Sequence, residues 1–432
     1  MTYKEAENYI LEIPKFTKKH TLEDTKKLLD ALHIKLRGRI VHVAGTNGKG
    51  SVCAYLCALL EAAGYRVGMF TSPHLISMRE RIRIGDNLIG EQAFLRAFDR
   101  VQALTASEDE EAHPTFFEFL FLLAMVYFHE EQPDFVILET GLGGRLDATN
   151  AVEEKALSVI TRIGLDHTEY LGDTLLQIAG EKAGILRKNV PVVYWETDKE
   201  VAHFLQNTAK KLEIPVFPVS NADYKILKIQ HKSIDFSYRS LYYDSIRLHL
   251  NTIAGYQPEN ASLALRAAEV LLSEEKLSLE RMKEAIKTAF WAGRMEEIFP
   301  EVYVDGAHNP DGVRAFLETV AKDGVKSRQL FLGVMQDKDY RKMLKEIADS
   351  GLFDRISAVQ LPGARALPAH ELAVIIEMYT GKPAERYPCA EAVISALQKQ
   401  GAESGRAYIA GSLYLVGEIK ALAETLTIWR ML

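Results

Sequence analysis

A regular alternation of strand-like and helix-like patterns is the feature that most constrains the fold of this chain. Between several β-rich runs of its first half stand longer segments with the apolar spacing of helices. Strands that alternate with helices favour a mostly parallel sheet with both faces covered. The runs predicted to be strands are Arg39–Ala44, Arg66–Phe70, Asp134–Glu139, Ala156–Thr161 and Pro191–Trp195.

The pattern changes between Tyr224 and Leu250, where apolar residues recur at every second position. This period predicts antiparallel hairpins, because alternate residues of a strand face opposite sides of a sheet. A predicted pair of helices follows, over Pro258–Leu272 and Leu279–Phe290.

A second series of strands and helices begins at Val302 and ends in a helix that starts at Leu413. A chain of 432 residues is long enough for two or three domains, and the change of pattern near Gly293–Glu297 indicates two. We therefore predict an N-terminal domain, residues 1–295, whose mostly parallel sheet carries a P-loop-type nucleotide site. Residues 296–432 are predicted to form a smaller, Rossmann-like α/β domain.

Charge and hydropathy exclude two classes of protein. The net charge of −7, from 52 Lys and Arg against 59 Asp and Glu, argues against sequence-independent nucleic-acid binding, which needs a basic surface. The longest apolar stretch, Phe116–Phe128, is shorter than a membrane span and contains Glu118. We predict a cytoplasmic protein in which Cys53 and Cys57, four positions apart, are small core residues.

A glycine-rich segment, Gly45–Ser51 (GTNGKGS), stands between a predicted strand and a predicted helix. Backbone N–H groups of such a turn, a helix N-terminus and one lysine form a cradle for nucleotide phosphates. Lys49 would reach the β- and γ-phosphates, and the Ser51 hydroxyl would face the phosphates or their metal ion. The spacing differs from the common P-loop, since Gly50 separates the lysine from the serine. A glycine-rich turn without a ligand is the alternative.

Polar side chains follow three of the predicted strands, where a parallel sheet gathers its ligands. Ser72 follows the second strand, Glu139 ends the third, and His167 stands at the tip of the fourth. A carboxylate that faces a triphosphate is the expected ligand of Mg²⁺. The alternatives are a plain Ser-Pro turn, a Glu139 that caps a helix or pairs with Arg145, and a histidine that only fills polar space.

Further candidates flank the boundary between the predicted domains. Arg294 lies at that boundary, and Asp305 and His308 follow the first strand of the second half, so they would line an interdomain cleft. Asn260 lies in the first turn of a predicted helix. A helix cap formed by Asp305 or Asn309 is the alternative.

Taken in order, these blocks closely resemble the folylpolyglutamate synthase and dihydrofolate synthase family of Mur-ligase-like ATP-dependent amide ligases. The resemblance implies that ATP activates the terminal carboxylate of a folate as an acyl phosphate, which the amine of L-glutamate then attacks. The blocks that carry it are Gly45–Ser51, Thr71–Leu75, Glu139–Asn150, Leu165–His167, Trp291–Arg294 and Asp305–Pro310.

The resemblance also implies which residues form the site. ATP would be bound by Thr46, Asn47, Gly48, Lys49, Gly50, Ser51, Asn260, Arg294 and Asp305. Mg²⁺, with two ions expected, would be held by Ser72, Glu139 and His167. Folate would contact Thr115, Phe116, Phe117, Glu118, Leu146, Asp147 and Ala148. Catalysis would depend on Lys49, Lys182 and His308.

Lys182 is the position where the residues and the resemblance disagree. A lysine among small residues is by default a solvated surface side chain, whereas the resemblance implies a carbamylated lysine near the second metal ion. The resemblance prevails here, because two Mg²⁺ ions would stabilise a carboxylate-like group and repel an ammonium.

The sequence leaves some alternatives open. A Mur-type cell-wall peptide ligase uses the same chemistry, but only about 40 residues precede the phosphate loop, too few for a separate UDP-binding domain. A nucleotide-gated switch or binding protein is the second alternative. Many members that also make dihydrofolate carry a Gly-Leu-x-Arg-like element where this chain has Lys19–Asp24, so dihydropteroate stays open as a substrate. We expect a monomer.

Overall fold

A computed structural model describes residues 1–13, 21–105, 113–230, 232–400 and 405–431. Lys19 and His20, in the segment that departs from the family pattern, lie outside these ranges. Among the helices of the described residues, none has the length and apolar character that crossing a membrane requires.

The N-terminal part of the chain forms an eight-stranded sheet. Its strand order is β4-β3-β2-β5-β1-β6-β7-β8, and only the edge strands β3 and β4 run antiparallel to their neighbours. The strands are β1 (Arg39–Ala44), β2 (Val67–Phe70), β3 (Ile82–Ile84), β4 (Asn87–Leu88), β5 (Phe135–Glu139), β6 (Leu157–Ile160), β7 (Val192–Trp195) and β8 (Val216–Val219).

Helices cover both faces of this sheet, as its apolar central strands require. Helix α3 covers one face, whereas α4 and α5 cover the other. The apolar stretch Phe116–Phe128 lies in α5, whose side chains are buried almost all round. The helices are α1 (Tyr3–Glu12), α2 (Leu22–Ala31), α3 (Lys49–Ala62), α4 (Glu91–Thr105), α5 (Phe116–Glu131), α6 (Thr168–Leu171), α7 (Leu175–Ala183) and α8 (Lys199–Lys211).

A three-stranded antiparallel sheet follows, with buried residues at alternate positions of its middle strand. It packs with α9 and α10 into the same core as α3. These elements are β9 (Tyr224–Gln230), β10 (Ser233–Tyr238), β11 (Ile246–Leu250), α9 (Gln257–Leu271) and α10 (Leu279–Thr288).

The remaining residues form a six-stranded sheet in the order β12-β13-β17-β14-β15-β16, parallel except for β12. Its strands are β12 (Glu296–Phe299), β13 (Val302–Val304), β14 (Arg328–Leu332), β15 (Arg355–Val359), β16 (Arg386–Tyr387) and β17 (Arg406–Ala410). Its helices are α11 (Pro310–Val320), α12 (Tyr340–Asp349), α13 (Ala369–Thr380), α14 (Ala390–Gln400) and α15 (Leu413–Met431).

The predicted α/β architecture is confirmed, as are the antiparallel hairpins and the burial of Cys53 and Cys57. Several elements were not predicted individually: β3, β4, β8, β12, β16 and the helices α4, α5, α6, α7 and α8. The strands among them are short or only partly buried edge strands, so their sequences lack a strong apolar signal.

Candidate active site

One cavity of about 330 Å³ lies where the carboxyl end of the large sheet faces the C-terminal sheet. The residues predicted for nucleotide binding, metal binding and catalysis all line it. They are Thr46, Asn47, Gly48, Lys49, Gly50, Ser51, Ser72, Glu139, His167, Lys182, Asn260, Arg294, Asp305 and His308.

The phosphate loop joins β1 to α3, and Lys49 is the first residue of that helix. Gly48 is its N-cap and has a φ of +88°, in the left-handed region that favours glycine. A Cβ atom at Gly48 would lie 2.3 Å from Oδ1 of Asn260. The first residues of α3 line the cavity. The backbone N–H groups of a first helical turn have no partner within the helix, so they can bind an anion there.

Two lysines donate to the same oxygen atom. The carbonyl of Gly45 accepts hydrogen bonds from Nζ of Lys49 at 3.2 Å and from Nζ of Lys182 at 2.8 Å. Lys182 is only 3% exposed, so the default interpretation as a solvated surface lysine, which the resemblance had already displaced, is wrong. Burial lowers its pKa to about 7, and the charge of Lys49 acts in the same direction. Much of Lys182 is therefore a neutral amine at neutral pH.

Glu139 ends β5 as a buried carboxylate on the cavity wall. Its Oε2 accepts a hydrogen bond from the backbone N–H of Ser72 at 3.0 Å. Burial raises its pKa, and Lys49 opposes this shift. The alternative that Glu139 pairs with Arg145 is wrong, because Arg145 donates to Glu181 at 2.8 Å.

His167 does not stand at a strand tip. Strand β6 ends at Ile160, and His167 is the N-cap of α6, after a loop that the phosphate loop contacts. Its Nε2 lies 3.3 Å from Nζ of Lys338. Burial lowers the pKa of His167 to about 4. No group of three or more His, Cys, Asp or Glu side chains in the described ranges could hold a metal ion.

Asp166, which the sequence analysis did not single out, joins the two parts of the chain. It accepts hydrogen bonds from Nζ of Lys338 at 2.7 Å and from Nδ2 of Asn309 at 3.0 Å, while Nε2 of His308 lies 3.8 Å away. Burial alone would raise the pKa of Asp166, but the charge of Lys338 lowers it below its usual range. The only sequence signal for a role of Asp166 was its position beside His167. Its partners Lys338 and Asn309 lie 172 and 143 positions away, so no local pattern indicates these contacts.

His308 is half-buried, and its hydrogen bond fixes which ring nitrogen carries the proton. Its Nδ1 lies 2.7 Å from the carbonyl oxygen of Gly306, so Nδ1 carries the hydrogen and Nε2 keeps a lone pair. Burial, together with Lys338, lowers its pKa to about 4, so the ring is neutral at pH 7.

Asp305 is not a helix cap, whereas Asn309 is. Asp305 accepts hydrogen bonds from the N–H groups of Met295 and Ala307, each at 2.9 Å. Asn309 accepts one from the N–H of Gly312 at 2.8 Å and caps α11. Of the two capping alternatives, only the one for Asn309 is therefore correct.

The segments predicted to contact folate lie outside the cavity lining. Thr115 and Glu118 form the capping box of α5, and the buried Asp147 accepts hydrogen bonds from the N–H groups of Gly141 and Leu142. Phe117 lies against Gly141, a residue of the cavity wall. Phe116 and Ala148 are buried, and Leu146 is 41% exposed. Their contact with folate stays a prediction.

The chain matches two families over most of its length: the Mur ligase middle domain over residues 43–268 and the Mur ligase glutamate ligase domain over residues 293–413. These matches and the phosphate loop in the shared cavity define an ATP-dependent carbon–nitrogen ligase of the Mur type. The dihydrofolate synthase/folylpolyglutamate synthase of Bacillus subtilis is 34% identical over 97% of this chain and 98% of that protein. The chain belongs to the folylpolyglutamate synthase and dihydrofolate synthase family.

Solved structures agree with this assignment. The folylpolyglutamate synthase of Thermotoga maritima has a TM-score of 0.83 at 30% identity, covering 98% of this chain and 97% of that one. The Mycobacterium tuberculosis folylpolyglutamate synthase complexed with ADP has a TM-score of 0.88 at 26% identity, with 98% of each chain covered.

We expect Gly48→Ala to weaken nucleotide binding by about tenfold or more, because the added methyl group meets Asn260 and the backbone is strained. Gly64→Ala is the matched control: Gly64 has a φ of +91°, and a Cβ there meets nothing within 4 Å. Calorimetric titration with ADP measures the affinity of both variants, and thermal unfolding measures their stability. Equal loss of ADP affinity in the two variants would contradict the specific contact.

Proposed function

We propose that this protein is an ATP-dependent ligase that joins L-glutamate to the terminal carboxylate of a folate through an acyl phosphate. The observation that carries the proposal is that the phosphate loop, Glu139 and Lys182 share one cavity with His308 of the C-terminal part. A similar structure, described as an FPGS-AMPPCP-folate complex, has a TM-score of 0.83 at 28% identity and covers 99% of this chain. That complex pairs an ATP analogue with folate, as the proposed reaction requires.

The first step is phosphoryl transfer. The folate carboxylate attacks the γ-phosphorus of ATP in line, the bond to the β-phosphate oxygen breaks, and ADP leaves. Such a reaction mainly requires positioning and stabilisation of negative charge. Lys49, the N–H groups at the start of α3 and Arg294 all line the cavity and supply positive potential there.

The second step joins the amine of glutamate to the activated carbonyl, and phosphate leaves. His308 can accept a hydrogen bond from the incoming amine, because its Nε2 keeps a lone pair at pH 7. The ion pair between Asp166 and Lys338 holds the neighbouring loops together from the two sides of the cavity. We therefore assign His308 to orienting the nucleophile.

We propose that Glu139 and Ser72 hold Mg²⁺, with His167 as a further ligand. Glu139 fits this ion, because it is a buried hard-oxygen donor beside Ser72 and the phosphate loop. Burial raises its pKa, and a bound cation would offset that cost of burial. Mg²⁺ is commonly bound by one or two carboxylates plus substrate phosphates, so a three-residue cluster is not required. When bound, the ion neutralises charge on the phosphates.

We also propose that Lys182 is carbamylated. A carbamate forms when a neutral amine captures CO₂, and the amine of Lys182 has a pKa of about 7 rather than 10.5. As an ammonium, Lys182 would place a second positive charge beside Lys49, because both side chains donate to the carbonyl of Gly45. As a carbamate, it would supply a negative group near a second Mg²⁺.

Several finer statements stay predictions. These are the two-domain division at residue 295, the monomeric state and the cytoplasmic location. The names of the relatives favour a folate substrate over a cell-wall peptide and over a switch without ligase activity. Whether dihydropteroate is used as well as tetrahydrofolate is decided by the first assay below.

The proposal is tested by glutamate-dependent release of ADP, run in parallel with tetrahydrofolate and dihydropteroate. We expect Lys49→Ala to lower turnover by roughly 10²–10³, the cost of removing a comparable electrostatic donor. Lys188→Ala removes a lysine that is 68% exposed and serves as the control. Lys49→Ala turnover above a tenth of the wild-type value would contradict the assignment, as would ADP release that is independent of folate.

We expect Glu139→Gln to raise the Mg²⁺ concentration needed for half-maximal activity, because the amide lacks the charge that Mg²⁺ prefers. His167→Ala should act in the same direction. The KM for folate should stay within about twofold, since neither side chain is proposed to bind it. Separate titrations of Mg²⁺ and folate measure the two effects. A loss of folate affinity at an unchanged metal requirement would place the metal elsewhere.

The proposal for Lys182 predicts how activity depends on CO₂ and pH. The lowered pKa leaves the amine neutral above about pH 7 and protonated below it, so added bicarbonate should restore CO₂-depleted enzyme better at pH 8 than at pH 6.5. Lys182→Ala should lose most activity and regain part of it with acetate or formate. Lys182→Arg keeps a positive charge and should stay inactive. Near wild-type turnover of the Arg variant would refute the carbamate.

A further inference from the structure

An ion pair that none of the assignments above uses stands at the edge of the cavity. Nε of Arg162 donates to Oε1 of Glu259 at 2.9 Å, and Nη2 of Arg162 donates to Oε2 of the same carboxylate. Both residues line the cavity, and Glu259 is only 7% exposed. The planar fork of arginine matches a carboxylate in this two-bond geometry, which fixes orientation as well as distance.

Arg162 is fixed to the phosphate loop by its backbone. Its carbonyl oxygen accepts hydrogen bonds from the N–H of Thr46 at 2.9 Å and from the N–H of Asn47 at 3.3 Å. The hydroxyl of Thr161 donates to the carbonyl of Asn47 at 2.7 Å. The guanidinium also lies 5.7 Å from the ring of Trp195. The backbone of Arg162 is therefore tied to the loop, while its guanidinium is held by Glu259.

Glu259 belongs to the first turn of α9, which contacts the same loop. The neighbouring Asn260 lies so close to Gly48 that no other residue fits there without a shift. Nδ2 of Asn260 donates to Oε1 of Gln257 at 3.0 Å, and Nε2 of Gln257 lies 3.3 Å from Oγ of Ser51. The first turn of α9 thus contacts the middle and the C-terminal end of the phosphate-binding segment, and the ion pair links the same turn to Arg162.

We propose that Arg162 and Glu259 are positioning residues that fix the first turn of α9 on the phosphate loop and thereby set the affinity for the nucleotide. Removing Arg162 leaves the buried carboxylate of Glu259 without its counter-ion, which favours a displaced helix turn over the bound geometry. Removing Glu259 releases the guanidinium of Arg162, whose side chain is 39% exposed, and takes away the attachment of the turn. Removing both leaves no such charge. This inference shares one assumption with the proposed function, namely that the phosphate loop binds ATP.

The test is a double-mutant cycle with Arg162→Met, Glu259→Gln and the double variant. We expect Arg162→Met to weaken ADP binding by about tenfold or more, the effect typical of unpairing a buried charge. Glu259→Gln should weaken it less, because the freed guanidinium of Arg162 is partly exposed to solvent. The double variant should bind ADP at least as tightly as the single variant with the lower ADP affinity, because the two residues act as one unit. The KM for folate should stay within about twofold. Arg162→Lys keeps the charge without the fork and should fall between wild type and Arg162→Met.

A control separates positioning from general stability. Arg328 forms a buried ion pair with Asp323 in the C-terminal sheet, so Arg328→Met should lower the melting temperature without changing ADP affinity. Three results would overturn the proposal. The first is that the losses of ADP affinity in the cycle are additive, and the second is an equal loss of folate affinity. The third is that ADP affinity falls in proportion to the melting temperature across the variants. ADP titration needs neither folate nor glutamate. An enzyme that binds ADP but does not ligate folate would refute the proposed function and leave this inference standing.

Discussion

The structure depends above all on placing buried charged groups at the carboxyl edge of a parallel sheet. Parallel strands bring their ends to one edge, and there the chain puts Glu139, Lys49 and Lys182 within one cavity. A buried charge is costly unless it is paired or neutralised. The surrounding loops therefore consist largely of hydrogen-bond donors and acceptors that satisfy these groups.

The two parts of the chain share that electrostatic task. The N-terminal sheet contributes the lysines and Glu139, whereas Lys338, His308 and Asn309 approach Asp166 from the C-terminal part. Without the C-terminal part, the carboxylate of Asp166 would lack its counter-ion Lys338. Burial also lowers the pKa of His308 to about 4 and that of Lys182 to about 7. At pH 7 the site therefore carries fewer positive charges than its sequence suggests.

Sequence reasoning predicts the architecture and the phosphate loop of the cavity because both depend on local patterns. The phosphate loop has a spacing that can be read from consecutive residues, and β1 was predicted with its observed bounds. The burial of Lys182 was missed, because its environment comes from Gly45, 137 positions away. The ion pair of Arg162 with Glu259 joins residues 97 positions apart and leaves no local signal.

The contact between Asp166 and Lys338 joins residues 172 positions apart, and this spacing has a consequence for biosynthesis. A ribosome releases the phosphate loop and Asp166 long before it releases Lys338. Until then the growing chain contains Asp166 without its counter-ion Lys338, and the phosphate loop without the C-terminal residues that line the same cavity. The site that is synthesised first is therefore among the last to become functional, and an incomplete chain lacks the means to consume ATP by this route.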